Sequence, residues 1–215
     1  FSTARAVQLS LGIAIEPWLQ YGLPLVLAFT AVVLALGLAD RMLTFRQERD
    51  IAQEHAERDW LTGVMNRGGI EHRLDWAILN TRREQLPLSL LFLDLDDFKQ
   101  VNDHWGHAIG DELLCHLTRL LSQFFPDAMI ARFGGEEFAL MVPHCPVPVL
   151  LKRLEGLRQQ LRQQPLSREV PLFVRASFGV IKVGRLSMDE ALSEADRQLY
   201  QAKNTGRDKI VCQDA

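Results

Sequence analysis

The sequence predicts an α+β fold, a sheet covered by helices, with one long apolar helix and a charged helical connector in front of it. Three observations carry that reading. From Trp60 onward, short segments of strand character alternate with segments of helical period. Two of the strand segments, Ala128–Phe133 and Glu137–Val142, are separated by a Gly-Gly turn and therefore form a hairpin, which argues against a parallel doubly wound sheet. Pro17–Ala39, finally, runs for 23 residues without a charge.

That apolar run is dense in Leu, Val and Ala (LPLVLAFTAVVLALGLA), and about 20 such residues suffice for a helix to cross the hydrocarbon core. It is read as a membrane span. Trp18 and Tyr21 stand where interfacial aromatics belong, and Arg41, Arg46 and Arg49 at the C-terminal flank place the downstream chain in the cytoplasm. A buried helix of a soluble core is the alternative, although soluble helices seldom stay apolar on every face for this length. The run is too long for a signal peptide and no small-residue cleavage site stands after it. Before it, Ala6–Ile15 is uncharged but too short to span alone, and reads as a loop or the tail of an earlier span. The chain opens on Phe1 rather than Met, as expected for a segment of a longer protein.

Between Asp40 and Asp59 the composition turns charged and helix-forming, with no Gly or Pro to stop a helix. Leu38, Met42, Phe45, Arg49, Ala52 and Ala56 keep a weak heptad spacing, compatible with a marginal two-stranded coiled coil or with a solvated single helix. The expected organisation is a membrane segment over 1–39, a helical linker over 40–58 and one domain over 59–215.

Within that domain Leu88–Leu95 is a buried strand, Asp111–Phe125 an amphipathic helix, and Ala128–Phe133 with Glu137–Val142 the hairpin. Val147–Gln164, bounded by Pro146, Pro148 and Pro165, is a helix, Leu172–Val183 a long strand, and Met188–Asn204 a last helix with Ala191, Leu192, Ala195, Leu199 and Ala202 on one face. The order read is α-β-α-α-β-β-α-β-α. No repeat or low-complexity tract interrupts it.

Composition narrows the function. With 24 basic against 27 acidic residues and a formal charge of −3, the chain is not built to neutralise nucleic-acid phosphates. A 47% apolar and 24% charged composition is that of a folded chain. Cys115, Cys145 and Cys212 are odd in number and form no CxxC pair, so neither a disulfide framework nor a zinc knuckle is expected, and a reducing compartment fits.

Chemistry concentrates in two places. In Leu91–Leu114, Asp94 and Asp96 lie two apart at the end of an apolar strand, with Asp97 and Lys99 directly after them. Carboxylates beside a Lys at a strand end suit a hard divalent cation together with a phosphate. Asp97 alone could equally be a helix N-cap. Asn102 and Asp111 are residue types that read a purine edge, though each by itself could be a cap or a surface polar group. The second place is Arg132-Phe133-Gly134-Gly135-Glu136-Glu137-Phe138, where Gly134 and Gly135 permit a tight turn and two carboxylates come directly after it. A bland hairpin with charged edges would explain this cluster taken alone; the Asp-x-Asp strand end about 40 residues earlier favours a metal. His104 and His107 form an HxxH without a third ligand nearby and are read as structural.

Gly134–Phe138, GGEEF, resembles the signature hairpin of GGDEF-domain diguanylate cyclases, and four further blocks are similar in order: DWLTGVMNR (Asp59–Arg67), LDLDDFKQVND (Leu93–Asp103), GHAIGDELL (Gly106–Leu114) and ADRQLYQAKNTGRDKI (Ala195–Ile210). The resemblance covers Asp59–Val211. It implies a palm-like, ferredoxin-like, mainly antiparallel sheet covered by helices, and condensation of two GTP into cyclic di-GMP with release of two pyrophosphates. Carried over residue by residue, it makes Asp94, Glu136 and the carbonyl of Leu95 the ligands of Mg²⁺, with Mn²⁺ as a substitute. Asp96, Glu137, Gly134 and Gly135 are supporting. Asn102 and Asp111 become the guanine readers, Phe98 and Lys99 the nucleotide-proximal pair, and Lys203 and Arg207 phosphate contacts; Glu136 and Lys99 are the catalytic pair. One GTP per domain implies a homodimer with the ligands at its two-fold axis. A bacterial inner-membrane location is implied, with the domain in the cytoplasm, and Leu34–Arg49 weakly resembles the end of a seven-transmembrane sensor module. No nucleic-acid partner is implied.

One departure matters. Many members carry an RxxD product-binding motif, at whose place this chain has Phe125, Pro126, Asp127 and Ala128, so no product-inhibition site is expected. Two rival functions remain: a non-catalytic GTP- or partner-binding relay with the same fold, and a cyclase that makes a mononucleotide from the same metal carboxylates.

Overall fold

The computed structural model describes residues 17–213. The loop or span tail expected before Pro17 lies outside the described residues. The chain divides between Glu54 and His55 into two compact units.

The first unit is built on helix α1, Pro17–Ala56. It contains a 22-residue segment, Pro24–Phe45, long and apolar enough to cross a membrane, and none of that segment is buried within the structure. Leu25, Phe29, Leu34 and Phe45 are each more than 65% exposed.

The second unit has a six-stranded sheet with helices on both faces. Its elements are β1 (Met65–Asn66), α2 (Arg67–Glu84), β2 (Leu88–Leu95), α3 (Phe98–Trp105), α4 (His107–Phe124), β3 (Met129–Gly134), β4 (Glu137–Pro143), α5 (Val147–Gln163), β5 (Ala176–Lys182), α6 (Met188–Asn204) and β6 (Ile210–Cys212). From α2 to α6 this is the order read from the sequence. The sheet order is β1-β3-β4-β2-β5-β6. The three inner pairings are antiparallel, whereas β1 beside β3 and β5 beside β6 are parallel, so the sheet is mixed. The two edge strands are two and three residues long, too short to register as a sequence pattern.

β2 lies at the centre, and all eight of its residues are buried, since both faces of it are covered. Leu91, Leu93 and Leu95 face a core shared with α4 and α5; Leu90 and Phe92 face a second core shared with α2 and α6. The three cysteines are free.

Two element starts differ from the sequence expectation. α4 starts at His107 rather than Asp111, because Gly106, at φ 83°, makes the break and Gly110 is accommodated inside the helix. The ladder of β5 starts at Ala176 rather than Leu172, because the preceding residues bond elsewhere: Leu172 O accepts from Leu166 N and Val174 N donates to Leu161 O at the end of α5. The segment Phe98–Trp105 is a separate helix, with Asp97 at φ 58° turning the chain from β2 into α3.

α6 is the element that brings distant sequence to β2. A capping box, with Ser187 N donating to Glu190 Oε2 at 2.7 Å, fixes its start. Its middle crosses β5 so closely that a Cβ on Gly179 would stand 2.2 Å from Leu199 N and 2.5 Å from Ala195 O. Both are main-chain atoms and cannot swing away. Gly179→Ala is therefore expected to lower unfolding free energy by about 3 kcal/mol or more, measured by urea denaturation; a loss below about 1 kcal/mol would show that the helix shifts without cost.

Candidate active site

The site forms where β2 ends. Successive strand residues point to opposite faces, so Asp94 shares the side of Phe92, and its cross-strand neighbours are Glu137 on β4 and Ser177 on β5. The last turn of α6 lies over it, and Lys203 Nζ donates to Asp94 Oδ2 at 2.7 Å. Burial pushes the Asp94 carboxyl up to about 6, against the pull of Lys203 and with Glu136 and Glu137 adding to the rise. At neutral pH it is ionised.

Asp96 has a different task. Its Oδ1 accepts from Ser177 Oγ at 2.7 Å and its Oδ2 from the main-chain N of Asp208 at 2.9 Å. It is buried and occupied by the fold, and supports the site by holding β5 and the turn after α6 to the end of β2.

The hairpin brings Glu136 to the same place. Gly135 adopts φ 51°, a left-handed conformation that a side chain disfavours. Leu95 N donates to Glu136 O at 3.4 Å, so the strand end and the hairpin tip are adjacent. Their position is held by a chain of contacts that sequence reasoning left without a role. Arg132 Nε donates to Gly135 O at 2.8 Å, and its Nη1 reaches both Asp59 oxygens at 3.2 and 3.3 Å. Asp59 in turn accepts from Thr62 Oγ1 at 2.6 Å. Burial would lift the Asp59 carboxyl, but the Thr62 hydrogen bonds and the Arg132 charge outweigh it and hold the pKa below the usual range. The hairpin is thus tied to the start of the domain.

One expected base reader packs onto the helix that carries the other. Asn102 on α3 lays its carboxamide against α4 at Gly110, next in sequence to Asp111: a Cβ on Gly110 would stand 1.9 Å from Asn102 Oδ1 and 3.2 Å from the Phe98 ring. Phe98 is buried beneath, while Lys99, on the first turn of α3, and Asp111, at the start of the second turn of α4, are exposed. Arg207 is exposed in the turn after α6, at φ 58°. A cleft of about 330 Å³ on the α2 and α6 side of the sheet is lined by Arg67, Phe92, Phe133, Glu137 and Asp196. Of the expected site residues only Glu137 lines it.

Among the described residues no three His, Cys, Asp or Glu side chains form a closed metal cage. The donors expected from the sequence, the Asp94 and Glu136 carboxylates and the Leu95 main-chain carbonyl, are all oxygen and too few to enclose an ion. That fits a hard divalent cation completed by water and phosphate oxygens.

A family model for the diguanylate cyclase GGDEF domain matches residues 56–209, and the chain belongs to that family. It is 36% identical over 161 residues to the diguanylate cyclase DgcM of Escherichia coli K12, covering 74% of this chain and 39% of DgcM. The chain thus spans about two fifths of that relative's length. Among solved structures it is similar to the coiled coil and GGDEF domain of DgcB from Caulobacter crescentus in complex with c-di-GMP, with a TM-score of 0.74 and 26% identity over 86% of this chain and 99% of that one. The active GGEEF domain of a diguanylate cyclase from Vibrio cholerae aligns with a TM-score of 0.65 and 29% identity over 70% of this chain and 97% of that one.

Two outcomes are expected. In metal-free protein the Asp94 carboxyl titrates near pH 6 by carbon-detected NMR, and Lys203→Met moves it higher by removing the ammonium. Because the folded value lies above the ordinary 3.8, the folded state holds this proton more tightly, and stability due to this residue falls as pH rises from about 4 to about 6. Second, Gly110→Ala displaces the Asn102 amide and weakens GTP binding about tenfold or more, one lost amide contact being worth about 1–3 kcal/mol, while the far-ultraviolet circular dichroism stays unchanged; unchanged affinity would remove Asn102 from the site.

Proposed function

We propose that this chain is the membrane-proximal and catalytic part of a diguanylate cyclase, condensing two GTP into cyclic di-GMP and two pyrophosphates. The observation that carries the proposal is the meeting, at the end of β2, of the Asp94–Lys203 pair with the main chain of Glu136. Distant segments supply an anionic and a cationic half to one point, as metal-assisted phosphoryl chemistry requires.

In this reading the Asp94 and Glu136 carboxylates and the Leu95 carbonyl hold Mg²⁺, with Mn²⁺ as a substitute. Bound there, the ion would polarise the phosphoryl oxygens and offset the charge that develops on them. Lys99, Lys203 and Arg207 neutralise the triphosphate. Asn102 donates and accepts through its amide, and Asp111 accepts from the N–H groups of guanine. The 3′-oxygen of one GTP forms a bond to the α-phosphorus of the other, the bond to the bridging oxygen breaks, and pyrophosphate leaves. The 3′-hydroxyl proton passes to Glu136 or to water. Repetition from the second GTP closes the ring, so each chain binds one nucleotide and positions it against its partner's, and the active species is a homodimer.

The segment Pro24–Phe45 anchors the protein in the bacterial inner membrane, and the arginines at its C-terminal flank place the catalytic domain on the cytoplasmic side. Phe125 is buried in the core where relatives with a product site carry an Arg, so cyclic di-GMP does not inhibit through this position.

The test is nucleotide chromatography of the full chain, reconstituted in lipid nanodiscs, with GTP and Mg²⁺. Cyclic di-GMP and pyrophosphate in a ratio of one to two are expected, with Glu136→Ala reducing the rate about 100-fold or more. Micromolar cyclic di-GMP added at the start leaves the initial rate unchanged. GTP binding by a dimer that forms no product would instead identify a relay, and a cyclic mononucleotide would identify a different cyclase.

A further inference from the structure

The turn Thr205–Lys209 carries two consecutive non-glycine residues in the left-handed region, Arg207 at φ 58° and Asp208 at φ 47°, directly after Gly206 at φ 118°. Side chains disfavour this conformation, and it persists only where surrounding contacts over-determine it. Those contacts come from outside the recognised sequence blocks. Arg158 on α5 donates through Nη1 to Asp208 Oδ1 at 2.9 Å and to Asp208 O at 3.1 Å. Arg162, one turn further along α5, reaches Asp208 Oδ2 at 3.2 Å. Arg158 is itself held by Glu155, which accepts from its Nε at 2.9 Å and from its Nη2 at 2.8 Å. The Arg158 side chain is 17% exposed and that of Asp208 12%.

The other end of the network is β2. Asp208 N donates to Asp96 Oδ2 at 2.9 Å, and Lys203 donates to Asp94 Oδ2 at 2.7 Å. The segment Lys203–Asp208 is therefore fastened at both ends to alternate residues of one strand end, with Arg207 between the fastenings. Arg207 N donates to Ala202 O at 3.0 Å, while its side chain is exposed. The backbone here is fixed on three sides, and the guanidinium is the part presented to solvent.

We infer that Arg158 and Asp208 are positioning residues for the reaction: the Glu155–Arg158–Asp208–Asp96 chain holds the turn in its left-handed form so that Arg207 is presented to the triphosphate of GTP. The inference rests on the reading of Arg207 as a phosphate contact. A guanidinium on a loose loop must be ordered when the ligand binds, whereas one on a fixed turn binds with that cost already met. Loosening the turn therefore weakens nucleotide binding without touching the nucleotide.

The test is a double-mutant cycle on the full chain, read by equilibrium binding of a fluorescent GTP analogue and by the KM and kcat for GTP. Arg207→Ala is expected to weaken binding about tenfold, and Arg158→Ala about three- to tenfold, with the change in KM rather than kcat. The double variant binds no worse than Arg207→Ala alone, because Arg158 acts through Arg207. Asp208→Asn keeps a residue that tolerates the left-handed region and keeps the N–H bound to Asp96, but loses the charge facing the two arginines; it gives an intermediate loss and serves if Arg158→Ala does not fold. Losses that add in the double variant, or a drop in kcat at unchanged KM, would overturn the inference and leave Arg158 a structural residue. An Arg207→Ala variant that binds normally would sink the underlying assignment of Arg207, and the positioning role with it.

Discussion

Asp94 is an ionisable carboxylate at the end of a strand whose other residues are apolar or otherwise buried, and isolated burial of such a charge is unfavourable by several kcal/mol. Lys203 resolves it, at 2.7 Å, from the last turn of a helix 109 residues away in sequence. Much of the surrounding architecture is needed for that single contact. α6 must pack against β5 closely enough to reach, which excludes a side chain at Gly179, and its start must be fixed by the capping box. Because burial lifts the carboxyl to about 6 while Lys203 restrains the rise, the site stays charged at neutral pH yet holds that charge in a poorly solvated place. There an added cation interacts more strongly than it would in water.

The second constraint is the hairpin. A Gly-Gly turn alone has many conformations; here the turn carbonyl of Gly135 is bound by Arg132, and Arg132 is bound by Asp59 near the domain's first residues. The position of Glu136 is thereby linked to the segment just after α1. Elsewhere, Asn102 and Gly110 pack α3 onto α4 without room for a Cβ, which holds Asn102 against the helix that carries Asp111. Two of these devices, the ion pair and the Arg-linked turn, meet at one strand end, and the third fixes α3 on α4.

Much of this was legible in the sequence. The order of elements from α2 to α6 came from periodicity and turn residues, because β2, the hairpin and α6 each bury a clear apolar pattern. The edge strands β1 and β6 were not legible, since two or three residues make no pattern, and their parallel pairings make the sheet mixed. The helix α4 starts four residues before the expected Asp111, and Gly110 inside it is the position at which Asn102 packs without room for a Cβ. For the site, residue types were visible but partners were not: nothing local to Asp59 points to Arg132, 73 residues on, and nothing local to Asp96 shows that it is spent on Ser177 and Asp208. The roles expected of Asn102, Asp111, Lys203 and Arg207 came from the family resemblance, and the structure adds how Asn102 and Lys203 are held.

If the end of β2 is the point about which the nucleotide is organised, that point must be visible directly. A crystal structure of the chain with Mg²⁺ and a GTP analogue that cannot react at its α-phosphorus is the most direct measurement. The account predicts the ion between Asp94, the Leu95 carbonyl and Glu136, the base against Asn102 and Asp111, and the phosphates facing Lys99, Lys203 and Arg207. A nucleotide seated elsewhere, such as in the cleft between α2 and α6, with Asp94 still bound only by Lys203, would contradict it.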